Sequence, residues 1–247
     1  MTAKDLSALR ALWQEAFDEP EDFTDLFFSV GFSPDRCHCI RDMDIPVSAL
    51  YWFDCHVNGR KLAYIYGVAT LKTHQGKGLA GKLMAQTHEI LRQQGYAGAI
   101  LVPAGQSLFD YYRRFGYETA TFTTRLTCDA GDTPVALRKI SPEEYVRSAP
   151  KFLPEGSVMQ GNEALTFLAG YCDFYAGEDF LLICSISPEG FRGQELLGNT
   201  QAAPGILRAL GCATGRFRTP GEDRPFAMLL PLQEDCPKPG WFGPALD

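Results

Sequence analysis

Gln75-Gly76-Lys77-Gly78-Leu79-Ala80-Gly81 lies between a strand-like stretch and an amphipathic helix. The stretch before it, residues 62–71, is uncharged and rich in β-branched and aromatic residues. The stretch after it, residues 79–94, carries apolar residues at helical spacing and ends at Gly95. A helix N-terminus attracts anions because its first N–H groups are unpaired, and glycines let a phosphate approach the backbone. The sequence therefore predicts a phosphate-binding loop. The alternative is an ordinary turn between a strand and a helix, in which the glycines are needed only for the backbone conformation of the turn.

Two common phosphate-binding motifs do not fit this loop. Its glycines at 76, 78 and 81 spell the dinucleotide motif Gly-x-Gly-x-x-Gly, which needs an acidic residue after the next strand, about 20 residues on. The next strand-like stretch, residues 97–102, is followed by Pro103-Ala104-Gly105. A nucleoside-triphosphate P-loop needs Ser or Thr after its lysine, and Lys77 is followed by Gly78. A nicotinamide-dependent enzyme is therefore only a weak alternative.

A third motif, Gln/Arg-x-x-Gly-x-Gly/Ala, is matched by Gln75, Gly78 and Ala80. Further along, a second helix-like segment places Tyr112 four residues before a Gly-aromatic pair. In both motifs the chain resembles the GCN5-related N-acetyltransferase (GNAT) superfamily, over roughly residues 60–120. The resemblance implies an α/β (α+β) fold, the acyl-CoA N-acyltransferase fold, in which helices flank a mixed central sheet.

The same resemblance implies acetyl-CoA as co-substrate and direct transfer of its acetyl group to an amine. The residues implied in CoA binding are Val68, Ala69, Thr70, Gln75, Gly76, Lys77, Gly78, Leu79, Ala80 and Gly81. The loop would bind the pyrophosphate, the strand edge would bind the pantetheine arm, and a backbone N–H of Val68 or Ala69 would face the thioester oxygen. The phenol of Tyr112 would donate a proton to the leaving thiolate. We expect Tyr111 to point to a different helix face, and Gly81 to serve helix packing.

No motif identifies the group that removes the proton from the acceptor amine. The candidates are His74, Asp54, Glu118 and the terminal carboxylate of Asp247. The last is motivated by enzymes of the enhanced-intracellular-survival type, which use their terminal carboxylate. Residues 241–247 are apolar enough that we expect this tail to be docked. Tyr112 and Asp247 are thus the predicted catalytic residues.

Composition and charge exclude several classes of protein. The chain lacks an apolar run of the ~18 residues that a membrane span needs, and its N-terminus lacks a signal-peptide core. We therefore expect a cytoplasmic protein with no membrane partner. The formal net charge is −7, and without a basic stripe we expect no nucleic-acid binding. An acidic surface would instead favour a cationic acceptor. Cys37-His38-Cys39 has no second ligand pair at zinc-like spacing, so we expect no metal.

The order of elements suggests two modules. Residues 1–128 contain two helices, three antiparallel strands, the phosphate loop, a helix, a strand, the Tyr112 helix and a closing strand over Phe122–Thr127. Residues 129–247 repeat this order loosely, with a helix expected over Gly161–Ala176 and a last strand over Phe226–Leu232. No phosphate motif precedes the short helix of this second part. We therefore expect a degenerate GNAT-like domain without a CoA loop, which shapes the acceptor pocket or a dimer interface. An unrelated α+β domain is the alternative.

This arrangement resembles the tandem-GNAT proteins of the enhanced-intracellular-survival type. Those proteins carry a further sterol-carrier-like domain, for which this chain is too short. Their acetylation of aminoglycosides or several lysines, and their hexameric assembly, are therefore not carried over, and homo-oligomer formation is left open. The function expected is an N-acetyltransferase that acts on a primary amine of a small molecule or a lysine-like acceptor. The alternative is a non-catalytic acyl-CoA-binding sensor module.

Overall fold

The structure is a computed structural model that describes residues 2–246. It divides into two compact units. The first unit contains the residues up to Glu118 together with Met228–Pro237, and the second contains Thr119–Ala227 and the residues from Lys238 onward. The chain therefore leaves the first unit, builds most of the second, and returns a segment to the first. The identification of residues 129–247 as a degenerate GNAT-like domain stays a prediction.

Both units contain helices and strands. The α-helices are α1 (Ala3–Phe17), α2 (Glu21–Leu26), α3 (Leu79–Gln93), α4 (Gln106–Arg113), α5 (Pro142–Ser148), α6 (Asn162–Ala169) and α7 (Ala203–Ala209). The strands are β1 (Cys37–Asp42), β2 (Ile45–Val57), β3 (Arg60–Thr70), β4 (Gly98–Leu101), β5 (Glu118–Thr119), β6 (Phe122–Asp129), β7 (Arg138–Lys139), β8 (Met159–Gln160), β9 (Asp173–Ala176), β10 (Phe180–Ser187), β11 (Gly190–Gly198), β12 (Thr214–Pro220), β13 (Arg224–Pro225) and β14 (Met228–Pro231). Within residues 2–246, no helix has both the length and the apolar composition required to cross a membrane.

Helix α1 begins at a capping box. The side chain of Thr2 accepts a hydrogen bond from the N–H of Asp5, and the Asp5 carboxylate accepts one from the N–H of Thr2. Leu9, Leu12 and Trp13 are buried, which is the apolar side that the helical spacing predicts. Helix α1 packs through this side against β2 and β3, and so covers one face of the sheet.

In the first unit, strands β1, β2, β3, β4 and β14 are neighbours in that order. Strands β3 and β4 are parallel and pair from Leu62 opposite Gly98 to Tyr64 opposite Ile100. The other neighbours are antiparallel. Strand β14 comes from far along the chain and pairs along the whole length of β4. The predicted mixed α/β fold is confirmed.

A β-bulge interrupts the pairing of β2 with β3. The register runs from Ala49 opposite Ala69 to Tyr51 opposite Tyr66, so β3 contains one residue more than β2 over this interval. Gly67 lies in the bulge with φ of +60°, and a Cβ added to it would lie 2.5 Å from Cζ3 of Trp13. Glycine is therefore required here for its backbone conformation and for the close approach of α1.

The sheet of the second unit has the order β13-β6-β12-β11-β10-β9-β7. Strands β11 and β12 are parallel and are joined by α7, as β3 and β4 are joined by α3. Phe122–Asp129 is a strand, but the expectation that it closes the first sheet is wrong, because it pairs with β12 instead. The expected helix over Gly161–Ala176 ends at Ala169, and the residues from Asp173 form β9.

Candidate active site

A groove in the first unit lies where β3 and β4 part. It is open to solvent and holds about 1360 Å³ of space, part of it outside the groove's mouth. Its lining residues come from β3, the loop before α3, α3 itself and α4, with Phe115 just after α4. They are Val68, Ala69, Thr70, His74, Gln75, Gly76, Gly78, Leu79, Ala80, Gly81, Leu108, Tyr111, Tyr112 and Phe115. Two motifs that are distant in the sequence therefore meet in one concave site.

The loop before α3 leaves backbone donors at the helix start. Gly76 and Gly78 have φ near +74° and +73°, a region that favours glycine, and Gly78 caps the helix without a side-chain hydrogen bond. The N–H of Lys82 donates to the carbonyl of Gly78 at 3.1 Å. The N–H groups before Lys82 precede this first intrahelical bond, so they have no helical partner. The loop can therefore offer several N–H groups to one anion.

Gln75 fixes the loop to the end of β3. Its side-chain amide donates to the carbonyl of Thr70 at 3.1 Å. Lys77 is exposed and is not among the residues that line the groove. A Cβ added to Gly81 would lie 3.1 Å from Cε1 of Phe115, so Gly81 lets α3 approach the end of α4, as the packing role predicts.

The far half of β3 presents an edge to the groove. Pairing with β4 covers Leu62 to Tyr64, whereas β3 continues to Thr70. On its other side, the N–H of Leu71 donates to the carbonyl of Val47 at 3.0 Å. Because N–H directions alternate along a strand, the N–H of Thr70 faces away from β2 and toward the groove.

Tyr112 lies in the last turn of α4 beside other aromatic side chains. The ring centroids of Tyr112 and Tyr111 are 5.3 Å apart, and those of Tyr112 and Tyr117 are 5.9 Å apart. Burial, helped by the neighbouring Tyr111 phenol, raises the pKa of Tyr112 to about 12. Tyr111 also lines the groove, from the neighbouring position of the helix. Tyr112 is therefore protonated at neutral pH and can act as a proton donor.

The candidate bases occupy different surroundings. His74 lines the groove, with its Nε2 at 3.1 Å from Oδ2 of Asp42. Asp54 is bound by the ammonium of Lys61 and the phenol of Tyr96, and Glu118 is exposed. Asp247 lies outside the described residues.

The expected docking of the tail is confirmed for its described part, because Trp241, Phe242, Ala245 and Leu246 are buried.

Residues that no motif marked also contribute to the groove. Leu108, Tyr111 and Phe115 line it beside Tyr112. Leu108 and Phe115 each lie three or four residues from Tyr111 and Tyr112, and Tyr111 directly precedes Tyr112. Their positions along the helix could therefore have indicated them in the sequence. In residues 2–246, no group of three or more His, Cys, Asp and Glu side chains is arranged to hold a metal ion.

The fold and the groove define a mixed α/β domain. In it, the N-terminus of α3 faces the place where the parallel strands β3 and β4 separate. The family model of the acetyltransferase (GNAT) domain matches residues 1–120. Residues 1–120 are therefore a GNAT acetyltransferase domain, and the resemblance drawn from the two motifs is confirmed. No curated protein sequence matches the chain significantly.

Solved structures share the fold over nearly the whole chain. A GCN5-related N-acetyltransferase from Kribbella flavida is 19% identical, with 94% of this chain and 71% of that chain covered and a TM-score of 0.67. One from Anabaena variabilis is 14% identical, with 94% and 71% covered and a TM-score of 0.71. Eis1 from Mycobacterium abscessus is 14% identical, with 94% and 73% covered and a TM-score of 0.66. At these identities the likeness establishes the fold.

Proposed function

We propose that the chain is an acetyl-CoA-dependent N-acetyltransferase that acetylates a primary amine of a small molecule or a lysine-like acceptor by direct transfer. One observation carries the proposal. A single groove is lined by the loop at the start of α3, the open edge of β3 and Tyr112. A phosphate-binding loop alone would suit many nucleotides, but these three features together suit an acyl thioester with a long polar arm.

The residues of the groove fit acetyl-CoA. No atom lies within 4 Å of a Cβ added to Gly76 or Gly78, so a phosphate has room beside the backbone of the loop. The N–H groups of Leu79, Ala80 and Gly81 would bind the pyrophosphate together with the partial positive charge of the helix. Lys77 adds a positive charge beside them. When bound there, acetyl-CoA supplies the acetyl thioester.

Strand β3 would bind the pantetheine arm as an added strand. The N–H of Thr70 faces the groove. The β-bulge at Gly67 interrupts the alternation of N–H directions next to Val68, so the backbone N–H groups of Val68 and Ala69 both stay candidate donors for the thioester oxygen. An N–H donor there would stabilise the negative charge that develops on that oxygen.

Tyr112 is the proton donor for the leaving thiolate in this proposal. Its burial keeps the phenol protonated at neutral pH, and its place on α4 puts it in the same groove as the β3 edge. Among the candidate bases that the structure describes, we choose His74 to receive the proton of the ammonium acceptor. It lines the groove, and its partner is the Asp42 carboxylate.

The test is an acceptor screen that monitors release of free thiol from acetyl-CoA. Amines, aminoglycosides, polyamines and lysine peptides are offered to the wild-type protein, and the best acceptor is used for Tyr112→Phe and the matched control Tyr111→Phe. Loss of a general acid typically lowers the rate 10²–10⁴-fold. We expect kcat to fall at least about 100-fold in Tyr112→Phe and much less in Tyr111→Phe, with little change in the Kd for CoA in either.

Two outcomes contradict the proposal. Unchanged turnover in Tyr112→Phe would remove the assigned proton donor. Thermal stabilisation by acetyl-CoA without thiol release on any acceptor would instead support the acyl-CoA sensor.

A further inference from the structure

Four arginines lie on one face of the second unit's sheet, on three adjacent strands. They are Arg125 on β6, Arg216 and Arg218 on β12, and Arg192 on β11. Each is next in sequence to an apolar residue of the cluster that includes α7, namely Leu126, Phe217 or Phe191. Since successive side chains of a strand point to opposite faces, the four arginines lie on the face away from α7. We call them the arginine cluster.

The strand register places like charges directly opposite each other. Arg192 is opposite Arg216, and Arg218 is opposite Arg125. Direct cross-strand pairs of like charge destabilise a sheet. The pKa of Arg125 is lowered, mainly by desolvation and then by the positive charges of Arg224 and of the other three arginines of the cluster. The register therefore gathers several positive charges on one face of the sheet, and an anion bound among them would reduce their mutual repulsion.

The arginine cluster surrounds an open cavity. About 560 Å³ of empty space is lined by Arg125, Arg192, Gly193, Arg216, Phe217 and Arg218. Arg125, Arg192 and Arg216 are exposed, whereas Arg218 is only 8% exposed. The guanidinium of Arg218 is held over the ring of Phe226, 4.5 Å from its centroid. The cavity thus has one fixed cation at its base and three accessible ones around it.

The size and charge of the surroundings limit the class of anion. The second unit, Thr119–Ala227 with Lys238–Asp247, contains 11 Lys and Arg and 14 Asp and Glu, so the cluster is a local exception in an acidic unit. A long polyanion such as a nucleic acid would meet repulsion beyond the cluster. A compact anion of high charge would not. Guanidinium groups match phosphate with paired N–H donors, and several of them suit more than one phosphate.

We propose that the arginine cluster is a binding site for a small ligand that carries two or more phosphate groups. The site belongs to the second unit and is independent of the acetyltransferase proposal. It contains none of the residues of the groove in the first unit.

The test uses pyrophosphate and triphosphate as probes, titrated calorimetrically into the full chain at constant ionic strength. The loop before α3 can also bind pyrophosphate, so variants assign the binding. Hydrogen bonds to charged groups are stronger than those between neutral groups, so we expect Arg125→Gln and Arg216→Gln each to weaken one binding event at least about tenfold. Lys77→Gln and Arg208→Gln, the latter on α7 at the other face of the sheet, should leave that event unchanged. Urea unfolding checks that each variant is folded.

Three results would overturn the proposal. The first is no binding of either probe at millimolar concentration. The second is equal affinity in the wild-type protein and in a folded Arg125→Gln/Arg216→Gln double variant. The third is tighter binding, through the same arginines, of a single-stranded oligonucleotide or an acidic peptide than of triphosphate.

Discussion

Replacing Gly67 by alanine should destabilise the first unit strongly, because two separate costs meet at this residue. A non-glycine residue with a positive φ of this size costs about 1–2 kcal/mol, and the φ of Gly67 is +60°. The new Cβ would also lie 2.5 Å from Cζ3 and 3.1 Å from Cη2 of Trp13, and 3.0 Å from Cδ2 of Tyr51. Overpacking in a filled core costs about 1–3 kcal/mol.

The expected loss for Gly67→Ala is therefore about 2–5 kcal/mol, the sum of the two terms. That is a large part of the ~5–15 kcal/mol by which most domains are stable. Gly59→Ala is the matched control. Its φ is +76° and no atom lies within 4 Å of an added Cβ, so it should cost only the backbone term of about 1–2 kcal/mol.

Urea unfolding followed by tryptophan fluorescence measures both losses, since Trp13 and Trp52 are buried in the first unit. If Gly67→Ala loses no more free energy of unfolding than Gly59→Ala, contact with Trp13 does not explain the glycine. Trp13→Leu provides a second check, because the smaller side chain should recover part of the loss when it is combined with Gly67→Ala.

Three further predictions concern titratable groups. Burial lowers the pKa of His88 to about 4, so as the pH falls from about 6.5 the unfolded chain binds a proton at this residue before the folded protein does. In urea titrations the wild-type protein should therefore lose about 3 kcal/mol of unfolding free energy relative to His88→Gln by pH 4. A difference between the two proteins that does not change with pH would refute this. Burial raises the pKa of Glu195, which accepts hydrogen bonds from Tyr145 and Trp241; the stability of the wild-type protein relative to Glu195→Gln should therefore be greatest below the usual carboxyl pKa and fall as pH rises through the raised one, and a difference that rises with pH would be the opposite result. If the Asp247 carboxylate is the base, deleting this residue alone should abolish turnover on the best acceptor without changing the Kd for CoA, and full activity would exclude it.

The groove could be predicted from sequence because its signals are local. Gln75, Gly78 and Ala80 are close in sequence, and the positive φ of Gly78 explains why a glycine stands at the helix start. Tyr112 could be identified from the sequence because its spacing to Gly116 is fixed within one short segment. Each of these features depends on the conformation of a few neighbouring residues.

Features that depend on pairing between distant strands could not be predicted from the sequence. Phe122–Asp129 has the composition of a strand, but nothing in it indicates β12 as its partner rather than the first sheet. The arginine cluster arises only from register, since Arg125 and Arg218 are far apart in the chain. The helix predicted through Ala176 is a different kind of error, because Gly170 was an available stop signal and the helix ends just before it.

Strand β14 has a consequence for how this protein can be made and divided. The edge of β4 opposite β3 is covered only when Met228–Pro231 has been synthesised, so a ribosome must release most of the chain before the acetyltransferase domain can close its sheet. A gene fragment cut at residue 120, where the family match ends, would encode a protein in which the apolar strand β4 keeps its pairing with β3 but has an open edge on its other side. Such an edge is a template for aggregation. A soluble minimal domain should instead join residues 1–118 to 228–237 through a short designed linker.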